Sequence, residues 1–244
     1  MVKMVLWGKP ILGKDLHMAL NIVEQIDDRV HVKNILISVS DKTGLESLVP
    51  ELVTALPEVR IFSTGGTYDF LKEVLGAKAE RHLTSVADYT GQPEMQGGLV
   101  KTLDFKIYLG LLSETYNAAH SADLERTGAV SMDMVVVNLY PFKKALIASD
   151  STPEKARANI DIGGPCMIRA AAKNYLRVAS VTDPADYGAI VQEVRNNSGT
   201  IGLDTRLRLM RKAFAHTAGY DLAIAGYFAG IQSMAVRAVY HLKG

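Results

Sequence analysis

Thiols are nearly absent: the 244 residues contain one cysteine, Cys166. A single thiol closes no intrachain disulfide and builds no cysteine-based zinc site, and such a chain fits a reducing, cytoplasmic compartment. The six histidines (His17, His31, His82, His120, His216 and His241) are too scattered for a metal-ligand pattern, so neither a metal nor a cofactor is expected. A surplus of either charge is lacking too, with 27 Lys and Arg against 26 Asp and Glu. That balance excludes the concentrated cationic footprint of a nucleic-acid or polybasic membrane surface, so any bound anion must be held locally. Long hydrophobic runs are also missing. The longest, Met132 to Leu139, is broken by Asp133 and Asn138, whereas a membrane span needs roughly 18 apolar residues. At the N-terminus Lys3, Lys9, Pro10 and Lys14 interrupt what a signal peptide would keep continuous, so this segment is expected to belong to the folded molecule.

What is present is 48% apolar sequence, enough for one large core or two small ones. Asn34–Val39 is a short β-branched run that reads as a buried strand, and Leu45, Leu48, Val49, Leu52, Val53 and Leu56 follow at helical spacing. A second strand (Val59–Ser63), a glycine turn (Thr64-Gly65-Gly66-Thr67) and a helix through Phe70, Leu71, Val74 and Leu75 come next. Strand, helix, strand with short connections predicts βαβ units and a mainly parallel sheet. Residues 85–110 read as long loops, and Met132–Asn138 as a further strand. Beyond them the pattern predicts a helix at Pro165–Lys173, a strand at Val178–Val181, a helix at Pro184–Arg195 and a helical stretch over Asp204–Gln232. The economical division is an N-terminal extension (1–33), one α/β domain with appended C-terminal helices (34–231) and a tail (232–244). A packed extra helix is the expectation for the extension, with a partner-docking segment as the alternative.

In an open parallel sheet, ligands gather beyond the carboxyl ends of the strands. Ser38, Ser40, Asp41, Lys42 and Thr43 follow the first strand, and Thr64, Gly65, Gly66 and Thr67 follow the second. Hydroxyls, a lysine and glycines beside a helix start are the parts of a phosphate cradle, although the same residues also serve as helix caps. Lys101 and Thr102 follow a glycine-containing loop. Asn138-Leu139-Tyr140-Pro141-Phe142 ends a strand in polar residues, with packing on the sheet end as the plainer role for Tyr140. Asp161-Ile162-Gly163-Gly164-Pro165 opens a helix, where Asp161 is either a cap or a functional carboxylate. Lys173 closes that helix and there complements its dipole or serves the site.

The runs SVSDKTGL, STGGT, DYTGQPEM with GGLVKTL, VVNLYPF, NIDIGG, RAAAKN and AFAHTAGYD occur in this order from Ser38 to Asp221. Together they resemble the IMP cyclohydrolase domain of the bifunctional purine-biosynthesis protein, across residues 34 to about 231. The resemblance implies a methylglyoxal-synthase-like three-layer α/β fold and a homodimer. It also implies closure of the purine ring of 5-formamidoimidazole-4-carboxamide ribonucleotide (FAICAR) to IMP with loss of water. Its catalytic set falls on Lys101, Tyr140, Asp161 and Lys173, with Asp161 and Lys173 as one acid/base pair and Lys101 and Tyr140 as another. The 5′-phosphate falls on Ser38, Ser40, Lys42, Thr64, Gly65, Gly66 and Thr67, further nucleotide contacts on Thr102 and Asn138, and an oxyanion hole on Ile162, Gly163 and Gly164.

The chain departs from that pattern at Leu99, at Asp104-Phe105 and at Tyr108-Leu109-Gly110. The family's formyltransferase domain would need roughly 300 further residues, so the expectation is a cyclohydrolase alone, linked functionally to a separate AICAR formyltransferase. A catalytically degenerate nucleotide-binding or effector-binding module and a methylglyoxal-synthase-type lyase are the alternatives. The lyase would need a histidine near the phosphate turns, where none stands.

Overall fold

The protein, seen in a computed structural model, is described over residues 22–92, 101–140, 142 and 152–243. Its frame is set by two apolar runs too short and too β-branched for helices. These are β2 (Asn34–Val39) and β5 (Met134–Asn138), which pair in parallel with Leu36 opposite Val135 and Ile37 opposite Val136. Flanking them are β3 (Arg60–Ser63), β4 (Leu83–Ser85) and β6 (Ala179–Val181), giving a five-stranded sheet of order β4-β3-β2-β5-β6, parallel throughout.

Successive side chains on a strand face opposite ways, so one run serves two cores. Ile35, Ile37, Met134 and Val136 meet one helical layer, made by α1 (Leu45–Ala55), α2 (Gly65–Leu75) and α9 (Tyr187–Asn196). Leu36, Phe62, Val135 and Val137 meet the other, made by α5 (Phe105–Leu112), α8 (Gly163–Lys173) and α10 (Leu203–Ala229). The result is the expected three-layer α/β arrangement. The shorter helices are α3 (Ala79–His82), α4 (Val86–Thr90), α6 (Ala118–Thr127), α7 (Pro153–Ala158) and α11 (Ser233–Arg237). Among the described residues no helix is long and apolar enough to cross a membrane.

Three expectations need correction. The Gly65-Gly66 turn is the first turn of α2, with Thr64 extended at its cap and Gly65 at φ +54°, a left-handed value that favours glycine. The stretch 85–110 carries α4 and the start of α5 where loops were expected. Side-chain oxygens of Ser85 and Asp104 cap these two helices, and such caps override a Gly- and Thr-rich composition. Residues 22–33 contain no helix. They lead into β1 (Arg29–His31), which pairs antiparallel with β7 (Thr200–Gly202), while the part of the expected helix in residues 1–21 lies outside the described residues.

The amino end of the sheet is held by buried charge. Asp133 accepts from the amides of Lys33 and Asn34, each at 2.9 Å, and pairs with Arg177 at 3.2 Å. Burial raises the Asp133 pKa and lowers that of Arg177, so desolvation outweighs the pairing on both partners. Arg206, fully buried on α10, donates to the carbonyls of Asp27, Asp28, Tyr175, Leu176 and Ile201. A guanidinium carries five N–H donors, so this one residue ties β1, β7 and the turn after α8 to the long helix.

Candidate active site

From β2 the chain steps outward to β3 and β4, then returns to β5 on the other flank and steps outward to β6. The winding therefore reverses between β2 and β5, which sets a topological switch point at their carboxyl ends. A cavity of about 760 Å3 lies there.

Asn138, the last residue of β5, sets its floor. Its Oδ1 accepts from the amides of Ser40 (2.8 Å) and Asp41 (2.9 Å), and its Nδ2 donates to the Asp41 carbonyl at 2.8 Å. Asn138 was expected as a nucleotide contact; it lines the cavity, but its amide is largely spent fixing the loop after β2. Thr67 is likewise committed, its Oγ1 exchanging hydrogen bonds with the Val39 amide and carbonyl at 3.2 and 3.0 Å. Asp41 turns back on Thr43, and Ser38 from the end of β2 lines the cavity with Ser40 and Lys42 from this loop.

Two helix N-termini converge on the same space. The first turn of α2 (Gly65, Gly66, Thr67) presents amides that lack intrahelical partners. Lys101 reaches over it, with Nζ 3.4 Å from where a Cβ on Gly65 would stand. Helix N-terminal amides beside an ammonium are donors of the kind that hold an anion.

At the other end α8 begins at Gly163, two residues before Pro165. Asp161 Oδ1 accepts from Gly164 N–H at 2.9 Å, so the carboxylate caps the helix as well as facing the cavity. Burial raises the Asp161 pKa, and the Gly164 hydrogen bond offsets part of that rise. The glycines leave little room for a side chain: a Cβ on Gly163 would lie 2.6 Å from Thr102 Oγ1, and one on Gly164 would collide with Asp161 Oδ2 and lie 2.6 Å from Leu139 Cδ2. Tyr140 also lines the cavity and is 60% exposed.

The structure thus brings Lys101, Tyr140 and Asp161 around one cavity with the expected cradle, Thr102 and Ile162–Gly164. It does not bring Lys173. That residue is exposed at the C-terminal end of α8, eleven residues long and so roughly 15 Å from the capped end, and it is absent from the cavity lining. The pairing of Lys173 with Asp161 is corrected accordingly. Residues lining the cavity that sequence reasoning missed are Val39, Leu103, Ala158, Asn159, Ile160 and Met167. Met167 lies one helical turn beyond Gly163 and was open to inference from that spacing; Ala158, arriving from α7, carries no signal. Leu99 lies outside the described residues. Of the other departures, Asp104 caps α5 through the Lys106 amide at 2.7 Å and Phe105 is exposed. Tyr108 sits inside α5, where burial raises its hydroxyl pKa. None of these three lines the cavity.

Fold and crevice define a parallel three-layer α/β domain with a cavity at its topological switch point. The chain belongs to the MGS-like domain family, whose sequence profile matches residues 44–166. The profile of the AICARFT/IMPCHase bienzyme matches residues 171–243. Among solved structures, ForH is 30% identical with a TM-score of 0.67, the match covering 81% of this chain and 99% of that one. A methylglyoxal synthase from Elizabethkingia anophelis NUHP1 is 18% identical with a TM-score of 0.36, covering 69% of this chain and 82% of that one.

Proposed function

We propose that the protein is an IMP cyclohydrolase. It closes the ring of FAICAR, held by its 5′-phosphate on the α2 end of the cavity, with the formyl and carboxamide groups at the α8 end. The observation that carries this reading is the convergence of two helix N-termini on one cavity, one with Lys101 above it and the other with Asp161 across it.

Ring closure forms a bond from the carboxamide nitrogen to the formyl carbon and then expels the formyl oxygen as water. The nucleophile is weak, so the site must take a proton from nitrogen and deliver protons to oxygen, steps worth roughly 10²–10⁴-fold when the groups are positioned. Asp161, whose carboxyl holds its proton to higher pH than an exposed aspartate, exchanges the proton with the reacting amide. The Gly163 amide, with Gly164's held by Asp161, stabilises charge on the formyl oxygen, a donor being worth about 10²–10³ in rate. Lys101 and Tyr140 orient the nucleotide and relay protons. Lys173 has no step, because it lies outside the cavity.

A binding-only module is the second reading, favoured by the position of Lys173, the partner that the resemblance gave to Asp161. Absorbance of IMP formed from FAICAR separates the two. Turnover by the wild type, a loss of roughly 10²–10⁴-fold in Asp161→Asn and a change of no more than about twofold in Lys173→Ala support the enzyme. Binding of IMP without turnover by the wild type supports the module.

A further inference from the structure

The run AFAHTAGYD lies on α10, outside the cavity lining, and the chemistry above gives it no role. Ala213, Thr217 and Tyr220 are its buried positions, spaced four and three residues apart on one helical face, and that face packs toward α8. Tyr220 is 8% exposed, and its hydroxyl ends at the turn that carries the cavity carboxylate. It accepts from the Asp161 amide at 2.7 Å and donates to the Asn159 carbonyl at 3.4 Å. The ring is wedged edge-on by Phe142, centroids 6.3 Å apart at 72°, and Phe142 is itself backed by Tyr227 at 6.0 Å. Phe142 closes the same short run that supplies Tyr140. One phenol therefore meets both loops that bring acid/base groups to the cavity: by hydrogen bonds the Asp161 turn, by ring contact the Tyr140 loop.

We infer that Tyr220 is a positioning residue for ring closure: its hydroxyl bridges Asn159 and Asp161 and so holds the Asp161 carboxyl at the geometry the reaction needs. The inference rests on the cyclohydrolase reading for its effect on rate, though not for its effect on Asp161 itself. The bridge fixes two backbone groups on either side of Ile160, and the Gly164 amide fixes the carboxylate from the other side. Loss of the hydroxyl frees the turn while leaving the phosphate end of the cavity untouched. A displacement of about 1 Å of a catalytic group costs up to roughly 10²-fold in rate.

The test is Tyr220→Phe, read by turnover of FAICAR, by IMP affinity and by titration of the Asp161 carboxyl in 13C NMR. The expected result is a fall in kcat of roughly ten- to hundredfold, with KM and IMP affinity within about twofold of wild type and the Asp161 titration moved toward the ordinary carboxylate value as the turn takes up water. In the Asp161→Asn background the same substitution should cost nothing more, since residues acting through one group are not additive. Full kcat with an unmoved titration overturns the inference, as does an additive loss in the double variant. A wild type that converts no FAICAR defeats the cyclohydrolase reading instead; the titration then decides the positioning role alone, a moved one upholding it and an unmoved one overturning it. Should Tyr220→Phe fail to fold, difluorotyrosine at position 220 keeps the shape and weakens the accepted bond; a lower kcat at unchanged KM supports the role, and an unchanged kcat overturns it.

Discussion

Asp161 shows how one residue satisfies two readings that the sequence leaves open. A carboxylate three residues before a helix amide is a cap, and the Gly164 hydrogen bond makes it one; its place in the cavity lining and its raised pKa are what the proposed reaction asks of a proton carrier. The two roles pull on stability in opposite directions. An unfolded aspartate ionises in the ordinary range, while the folded one ionises later. Its stabilising contribution is therefore fully present below that range and is lost as pH rises through the folded value. Asp161→Asn keeps an oxygen for Gly164 and removes the ionisation, so the variant should gain stability relative to wild type between about pH 4 and about pH 7. Urea unfolding at the two pH values checks this, and parallel changes in both proteins would contradict it. Lys173 and Asn138 mark the other side of residue-scale legibility. Their identity was plain, but Lys173 is removed from the site by helix length and Asn138 is largely spent on the loop after β2, neither of which a motif displays.

Helices α2 and α8 do the positioning, and both begin earlier than their sequence punctuation predicts. Gly65 enters α2 through a left-handed φ, and Gly163 and Gly164 enter α8 because close approach to Thr102, Asp161 and Leu139 leaves no room for a side chain. Periodicity located both helices through their apolar faces. It could not locate the left-handed entry into α2, nor a start of α8 set by contacts with Thr102 and Leu139, residues more than 20 positions away in the chain. Strands β1 and β7 were missed for a related reason: three-residue strands carry too little alternation to read, and they pair across most of the chain length. The glycines offer a contrast. A Cβ on Gly66 meets nothing within 4 Å, whereas one on Gly164 falls 2.6 Å from Leu139 Cδ2 and closer still to Asp161. Gly66→Ala should leave thermal stability equal or higher, by up to about 1 kcal/mol, and weaken IMP binding by obstructing the phosphate seat. Gly164→Ala should cost about 1–3 kcal/mol by overpacking. Thermal unfolding and IMP titration of the pair check both, and equal stability losses would contradict the assignment.

For the molecule as a whole, the parallel three-layer arrangement was legible because β2 and β5 are short buried runs bounded by polar turns, and because helical spacing separates them. The strand order was not, since nothing local states that β5 returns to the flank of β2 opposite β3. That reversal creates the crevice, and buried Asp133 and Arg177 hold the framework at the opposite, amino end of the sheet while Arg206 ties β7 to the long helix. The central claim is that one nucleotide spans the crevice, phosphate at α2 and base at α8. Crystals of the protein grown with IMP test it most directly. The expected result is phosphate oxygens on the Gly66 and Thr67 amides and on Lys42, with the purine ring against Asp161 and the Gly163 amide. A nucleotide bound with its phosphate at the α8 end, or seated outside this cavity, would contradict it.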